Sequence, residues 1–422
     1  MAWGKGPSTS KDDFVALCAK ISTNKTSSNS LTLLHSKYAS IWNPETILLL
    51  CNSLAKNTSL EELHCTGFDF GVDGCLALGV ALKANTTLKR LTFGHHATFT
   101  DEQLEAFLSC PPKFLLELDL ERKNLTSKSG KVLGNALAQN HQIKVLNVSG
   151  NALGNGGFSD LLTVDGIYTQ PIQSLLASAI AITALPVGFA SMFANLVVLN
   201  LSDNVVGADG MLELAKLKCD ELILNNCEVG DVGCMTLARG EPRKRLSLVR
   251  NSITPLGVLV LAENLLRPHA RTLQYLNLSH NTALGDSGLD KIAQNLTTHI
   301  SPLILDVGYC NGTKIPHAFL THLDGLNFGG NGPMLVDELI TGVIETRLTC
   351  RVSTLGITGT GLTDIARLFQ ALHVSTALSV LECGGIPMTA EDRQALEHLN
   401  QANPDLDVAV DRGEEGGPPP TQ

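Results

Sequence analysis

The side chains of this chain best suited to do chemistry are tyrosines and arginines, and the chemistry they suit is recognition. Three of the four tyrosines, Tyr38, Tyr275 and Tyr309, fall on positions that a recurring register turns outward from a strand, as do Arg90, Arg122, Arg245, Arg250 and Arg347. Such residues join apolar area to directional polar groups and are enriched at binding hot spots. With only 5% aromatic residues in the chain, that placement carries weight; the competing explanation is that tyrosine suits strands anywhere. His64, Glu117, Asp119 and His280 share the same outward face. Glu117, Asp119 and Glu121 alternate along one strand, which makes an acidic patch for a basic peptide or ordinary surface charge.

Bond-making chemistry has no comparable footing. No Walker loop, G-x-S-x-G elbow or H-E-x-x-H helix occurs. The run Gly150-Asn-Ala-Leu-Gly-Asn-Gly-Gly is not followed by Gly-Lys-Ser/Thr and reads as a turn, not a phosphate cradle. His95 and His96 with His64 suggest a metal, but adjacent strand residues point to opposite faces, so polar surface is the better reading. The 11 cysteines are odd in number and contain no C-x-x-C. They sit where small buried hydrophobes would and fit a reducing compartment. Neither a cofactor nor a metal is expected.

The elements that must position these residues are written in a repeat. Leu273-Gln-Tyr-Leu276-Asn-Leu278-Ser-His-Asn281 has the form LxxLxLxxN, and the form returns at Leu196 to Asn204 and at Ile143 to Asn151. Side chains alternate along a strand, so the fourth and sixth positions enter a core while the third and fifth face out. The ninth, Asn, can satisfy backbone groups where the chain turns away. Starts run from Leu31 through Leu60, Leu88, Leu115 and onward to Leu323, Glu345 and Leu378, a period of about 27 residues, within the range of a stacked repeat. Leu246/Leu248, Leu305/Val307 and Leu348/Cys350 read as inward pairs, and Cys227 and Cys310 replace the turn Asn. After each turn the spacing predicts a helix. One such helix begins near Val72 and places Leu76, Val80 and Leu82 near one face. The units starting at Leu196, Cys219 and Leu323 are short and leave room for a clipped helix or a 3₁₀ turn. One unit cannot bury its apolar face alone, so units stack and share a core. The expectation is an α/β solenoid (a horseshoe) of about 13–14 repeats, with a parallel sheet on the concave side and helices outside.

That pattern resembles the leucine-rich repeat family, in its ribonuclease-inhibitor-like branch, over roughly Leu31 to Asn403. The resemblance implies a binding surface and leaves the partner open. Its free-standing members serve as enzyme inhibitors, actin regulators and fixed components of ciliary axonemes. It implies a non-enzymatic scaffold in a larger hetero-complex, holding a protein by the concave face. Cytoplasmic placement, with cytoskeleton or cilium as settings, comes from the same source. A Ran-type GTPase activator is an alternative for which Arg90 or Arg122 could supply the arginine that stabilises phosphoryl transfer. An inhibitor of the ribonuclease-inhibitor type is another, although Trp3 and Trp42 lie outside the outward positions.

Residues 1–30 read as a capping helix segment, 31–405 as the solenoid, and 406–422 as a closing strand with a disordered tail. A net charge of −10 without a basic block disfavours nucleic acid and mildly favours a basic protein partner. No secretory or mitochondrial leader is evident at the N-terminus. From Gly166 to Ser202 no residue is charged, and Leu175 to Leu199 is long enough to cross a bilayer. Pro186, several polar residues and the repeat spacing Ile172-x-x-Leu175-x-Ala177 favour instead a degenerate repeat near 166–195, sheltered or docked against a partner.

Overall fold

The computed structural model describes residues 10–410, apart from 95–98, 141, 165–166, 169–171, 194, 267–271, 297–301, 333–335, 347–349 and 374–376. Fifteen strands form an open parallel sheet whose spatial order is the sequence order, with helices in the connections, and Thr163–Val164 pairs antiparallel with Ile167–Tyr168 apart from it. Contacts group the chain into two compact units, Met1–Leu222 and Ile223–Gln422.

In the first unit α1 (Lys11–Ser22) opens on a capping box in which Ser10 and Asp13 satisfy each other's backbone amides. β1 (Ser30–Leu34), the short α2 (His35–Tyr38) and α3 (Pro44–Lys56) follow. Then come β2 (Glu62–Thr66), α4 (Gly71–Ala84), β3 (Arg90–Thr92), α5 (Asp101–Leu108), β4 (Glu117–Asp119), α6 (Ser127–Gln139), β5 (Val145–Asn147) and α7 (Gly154–Leu162). Edge-to-face aromatic contacts run through the start of this core, from Phe14 on Tyr38 and Trp42 to Phe70 on Phe93 and Phe93 on Phe107. Between α6 and α7 the backbones touch: a methyl on Gly130 would strike the Gly157 carbonyl, and one on Gly157 would lie 2.7 Å from the Ser127 Cα.

In the second unit Tyr275, Leu276 and Asn277 pair with Ile304, Leu305 and Asp306, like position against like. Leu276 and Leu278 are buried, as are Leu246/Leu248 and Leu305/Val307.

Two further ladders lock neighbouring repeats. The turn asparagines form the first. Asn281 Nδ2 donates to the carbonyls of Leu248 and Leu278, and its Oδ1 accepts from the amides of Asn251 and Ile253. Asn151, Asn204, Asn251 and Asn331 repeat that role. At the same station the Cys310 thiol donates to the Leu278 carbonyl at 3.2 Å. The second ladder runs along the helix starts, where Asp101, Asp231 and Asp286 each accept from the backbone amide and hydroxyl of the next repeat's threonine, Thr126, Thr254 or Thr313. Burial alone would raise the Asp286 carboxyl, but the Thr313 bonds hold it below its ordinary value.

Four sequence expectations need correction. The first strand is shifted by three residues: Leu31 and Leu33 align with Leu63 and Cys65, while Leu34 faces out. The unit expected at Glu345 is misplaced, because Glu345 belongs to the helix Val336–Thr346. The strand is Thr354–Gly356, with Leu355 and Ile357 inward. The Leu323 unit is therefore long enough for that full helix, and the clipped helix His317–His322 falls instead in the unit before it. In α4 the core takes Cys75, Leu78 and Leu82, so Leu76 and Val80 face solvent.

The uncharged segment contributes a repeat strand, Ser174–Leu176, with Leu175, Ala177 and Ile180 fully buried. Its helix is replaced by a 3₁₀ turn, Phe189–Met192. Among the described residues no helix is long and apolar enough to cross a membrane. None of the 11 cysteines, all among the described residues, is in a disulfide. Burial pushes Cys18 up to about 11 and Cys51 and Cys75 up to about 12, so they remain protonated packing residues.

Candidate protein-binding surface

The outward face of the second unit brings five of the expected residues together. Three parallel strands, Arg245–Ser247, Tyr275–Asn277 and Ile304–Asp306, stand side by side, and their register aligns Arg245, Tyr275 and Ile304 in one row. The Arg245 guanidinium lies over the Tyr275 ring, 4.2 Å from its centroid. The Tyr275 hydroxyl accepts from Asn277 Nδ2 at 3.1 Å. That fixes both ends of the tyrosine while leaving it half-exposed.

Arg250, His280 and Tyr309 stand in the turn rather than on the strand, each one residue before the ladder position and each in left-handed backbone (φ 55°, 60° and 55°). Left-handed geometry swings these side chains into a second row beside the sheet face. There the His280 and Tyr309 rings stack, 4.4 Å between centroids and 6° from parallel. Tyr309 in turn covers Gly330, where even a methyl would collide with the ring. The tyrosine is still 51% exposed. A cation over a ring is worth about 0.5–1 kcal/mol at an exposed site, and an aromatic pair about 0.5–1.5 kcal/mol. Both pairs thus hold exposed rings in place before anything binds. Ile304 and Gly330 were missed as site residues, although each sits at the same repeat offset as the tyrosine it accompanies.

The outward face of the first unit is internally paired. Arg90 forms an ion pair with Glu62, which His64 also approaches at 3.4 Å. Asp119 accepts from Thr92 Oγ1 at 3.0 Å, and Arg122 lies 3.4 Å from Glu121. Glu117 is half-buried beside Arg90 across the β3–β4 pairing. The acidic strand has a counter-charge that sequence reading passed over. Lys123 occupies the ladder position where Asn is usual, is buried, and donates its ammonium to the Gly94 carbonyl. Burial pulls the Lys123 pKa below its ordinary value, against the opposing pull of Asp119 and Glu121.

One expected residue drops out. Tyr38 is not on a strand face. The three-residue shift puts it in α2, buried edge-on against Phe14 at 5.3 Å. Arg347 lies outside the described residues, as do His95 and His96.

Comparison with known proteins agrees with this construction. A family profile described as Leucine Rich repeat matches residues 139–162, 194–215, 221–238 and 269–293. The ribonuclease inhibitor of Sus scrofa is 26% identical over 314 residues, covering 63% of this chain and 68% of that protein. Similar solved structures include a complex of Rad7 and Elc1 from yeast, at 16% identity and a TM-score of 0.47 over 90% of this chain and 84% of that one. A complex of TLR13 with ssRNA13 is similar at 14% identity and a TM-score of 0.46, over 90% of this chain and 61% of that one. Repeat spacing, asparagine ladder and family profile converge: the chain carries leucine-rich repeats over the matched residues and is similar to ribonuclease inhibitor.

Proposed function

We propose that this chain is a non-catalytic scaffold that holds a protein partner on the outward sheet face of its second unit. The observation that carries the reading is the pair of stacks, Arg245 on Tyr275 and His280 on Tyr309, which present ordered rings and cations on a surface. Side chains already held in one geometry lose less entropy on binding. The partner is a protein within a hetero-complex; the net charge of −10 supports a basic one through long-range attraction, while Arg245 and Arg250 on the face itself meet its acidic or aromatic groups. Cytoplasmic placement in a cytoskeletal or ciliary assembly rests on family resemblance, and imaging of the tagged chain tests it. The GTPase-activator alternative loses ground because Arg90 and Arg122, its nominated arginines, are each engaged by a carboxylate. The inhibitor alternative loses ground because Trp42 packs against Phe68 and Phe70 instead of facing a partner.

The test is affinity purification from the native source with the unaltered chain and with a Tyr275→Ala, Tyr309→Ala, Arg250→Ala variant. The variant is expected to stay folded, with a modestly lowered thermal midpoint, and to lose the captured proteins. Undiminished capture by a folded variant rejects this face as the interface.

A further inference from the structure

We propose that the helical face of the first unit is a second docking surface, and that its occupant is an amphipathic partner helix with heptad-spaced apolar residues. Val15 on α1, Leu48 on α3 and Leu76 on α4 each follow by one residue the first of the regularly spaced core residues of their helix, Phe14, Ile47 and Cys75. Because α1 packs on α3 and α3 on α4, the three form a row running across the helices. Val72 and Val80 extend it along α4, and all five side chains are between 42% and 53% exposed. The row ends on α5, where the equivalent residue after Leu104 is the exposed Glu105.

Spacing and charge select the occupant. Packed helices lie roughly 8–10 Å apart, and one heptad of helix advances about 10.5 Å. A helix laid along the row therefore offers one apolar residue to each of Val15, Leu48 and Leu76. Asp12, Asp73 and Glu102 border the row at the helix starts, where Glu45 is ion-paired to Lys11, and lysines border it at the helix ends, Lys20, Lys56 and Lys83. The same charges favour the helix dipoles, and their alignment across three helices leaves an apolar strip between an acidic and a basic margin. The complementary helix carries lysines or arginines along one edge and glutamates along the other. A peptide with both edges of one sign meets like charge on one margin.

The probe is a stapled three-heptad peptide with one leucine per heptad, lysines on one edge and glutamates on the other, titrated by fluorescence anisotropy into the full chain. Binding is expected, and at least tenfold weaker binding to Leu48→Glu, Leu76→Glu. Peptides with all-lysine or all-glutamate edges are expected to bind more weakly. The Tyr275→Ala, Tyr309→Ala, Arg250→Ala variant should bind the peptide normally, which separates this surface from the sheet face. Should the glutamate variant fail to fold, hydrogen exchange decides: the peptide must slow exchange in α3 and α4 of the unaltered chain. Equal affinity for the folded glutamate variant, no binding of the mixed-edge peptide, or no slowing of exchange overturns the proposal. So does self-association of the chain that the glutamate variant abolishes, since the occupant is then a second copy.

Discussion

Asn281 partners two carbonyls and two amides that belong to two stretches of backbone, residues 248–253 of the preceding repeat and its own Leu278. Leaving a buried polar group without a partner costs about 1–3 kcal/mol. Asn281→Ala is therefore expected to lower the unfolding free energy by at least about 2 kcal/mol, read from the urea midpoint. Asn281→Cys should recover part of that loss, because Cys310 already donates from its sulfur at the equivalent station. Equal midpoints for the two variants would remove the ladder from the account. Lys123 is the opposite case, a charge in a position built for an amide. Its folded pKa lies below its ordinary value, so the folded chain binds fewer protons than the unfolded chain as pH rises between the two values. Relative to Lys123→Met, the unaltered chain should gain stability from neutral pH toward pH 10, near the unfolded lysine pKa of about 10.4. A pH-independent difference would show that the ammonium is effectively solvated.

At the scale of elements, the distance between helices is set by what their facing residues lack. A methyl on Gly157 would press on the Ser127 backbone of α6, whereas one on Gly156, the preceding residue, meets nothing within 4 Å. Overpacking costs about 1–3 kcal/mol, while replacing a helical glycine by alanine gains about 0.5–1 kcal/mol. Gly157→Ala is expected to lower the thermal midpoint and Gly156→Ala to leave it level or raise it. A reversed order would place the α6–α7 contact elsewhere. Segment length is equally decisive: the short interval from Pro302 to Leu323 holds only the six-residue helix His317–His322. The uncharged interval after Ile172 holds only a 3₁₀ turn.

At the scale of the whole molecule, each repeat completes its neighbours, so interior and terminal repeats are not equivalent. Excising 273–301 in register is expected to lower the denaturation midpoint more than removing the residues from 390 onward. The interior cut must rejoin two stacking faces, while the end cut exposes one. Similar midpoints would mean that the terminal helix Ala390–Ala402 matters as much as an interior repeat.

The inward pairs Leu276/Leu278 and Leu246/Leu248, the ladder Asn281 and the parallel sheet were all legible in the order of residues. A period of two and a fixed turn residue admit one arrangement wherever the pattern is clean. The stretch Leu31-Thr-Leu-Leu34 satisfies two registers equally, and only pairing with Leu63 and Cys65 chose between them. That choice buried Tyr38 and removed it from the surface. In sequence Leu348 and Cys350 have the spacing of an inward pair, as do Leu355 and Ile357 a short distance on; the latter are buried, and Leu348 lies outside the described residues. α4 is apolar nearly all round, so helical spacing fits Leu76 and Val80 as readily as Cys75, Leu78 and Leu82. Its neighbours decided which set was covered. Repetition in the sequence thus determined the fold and the strand face. Packing between repeats determined the register at the degenerate units, the ring stacks at Tyr275 and Tyr309, and the exposed helical strip. Local spacing constrains which way a side chain points, but contact with the adjacent repeat selects which of two equally spaced sets is removed from water.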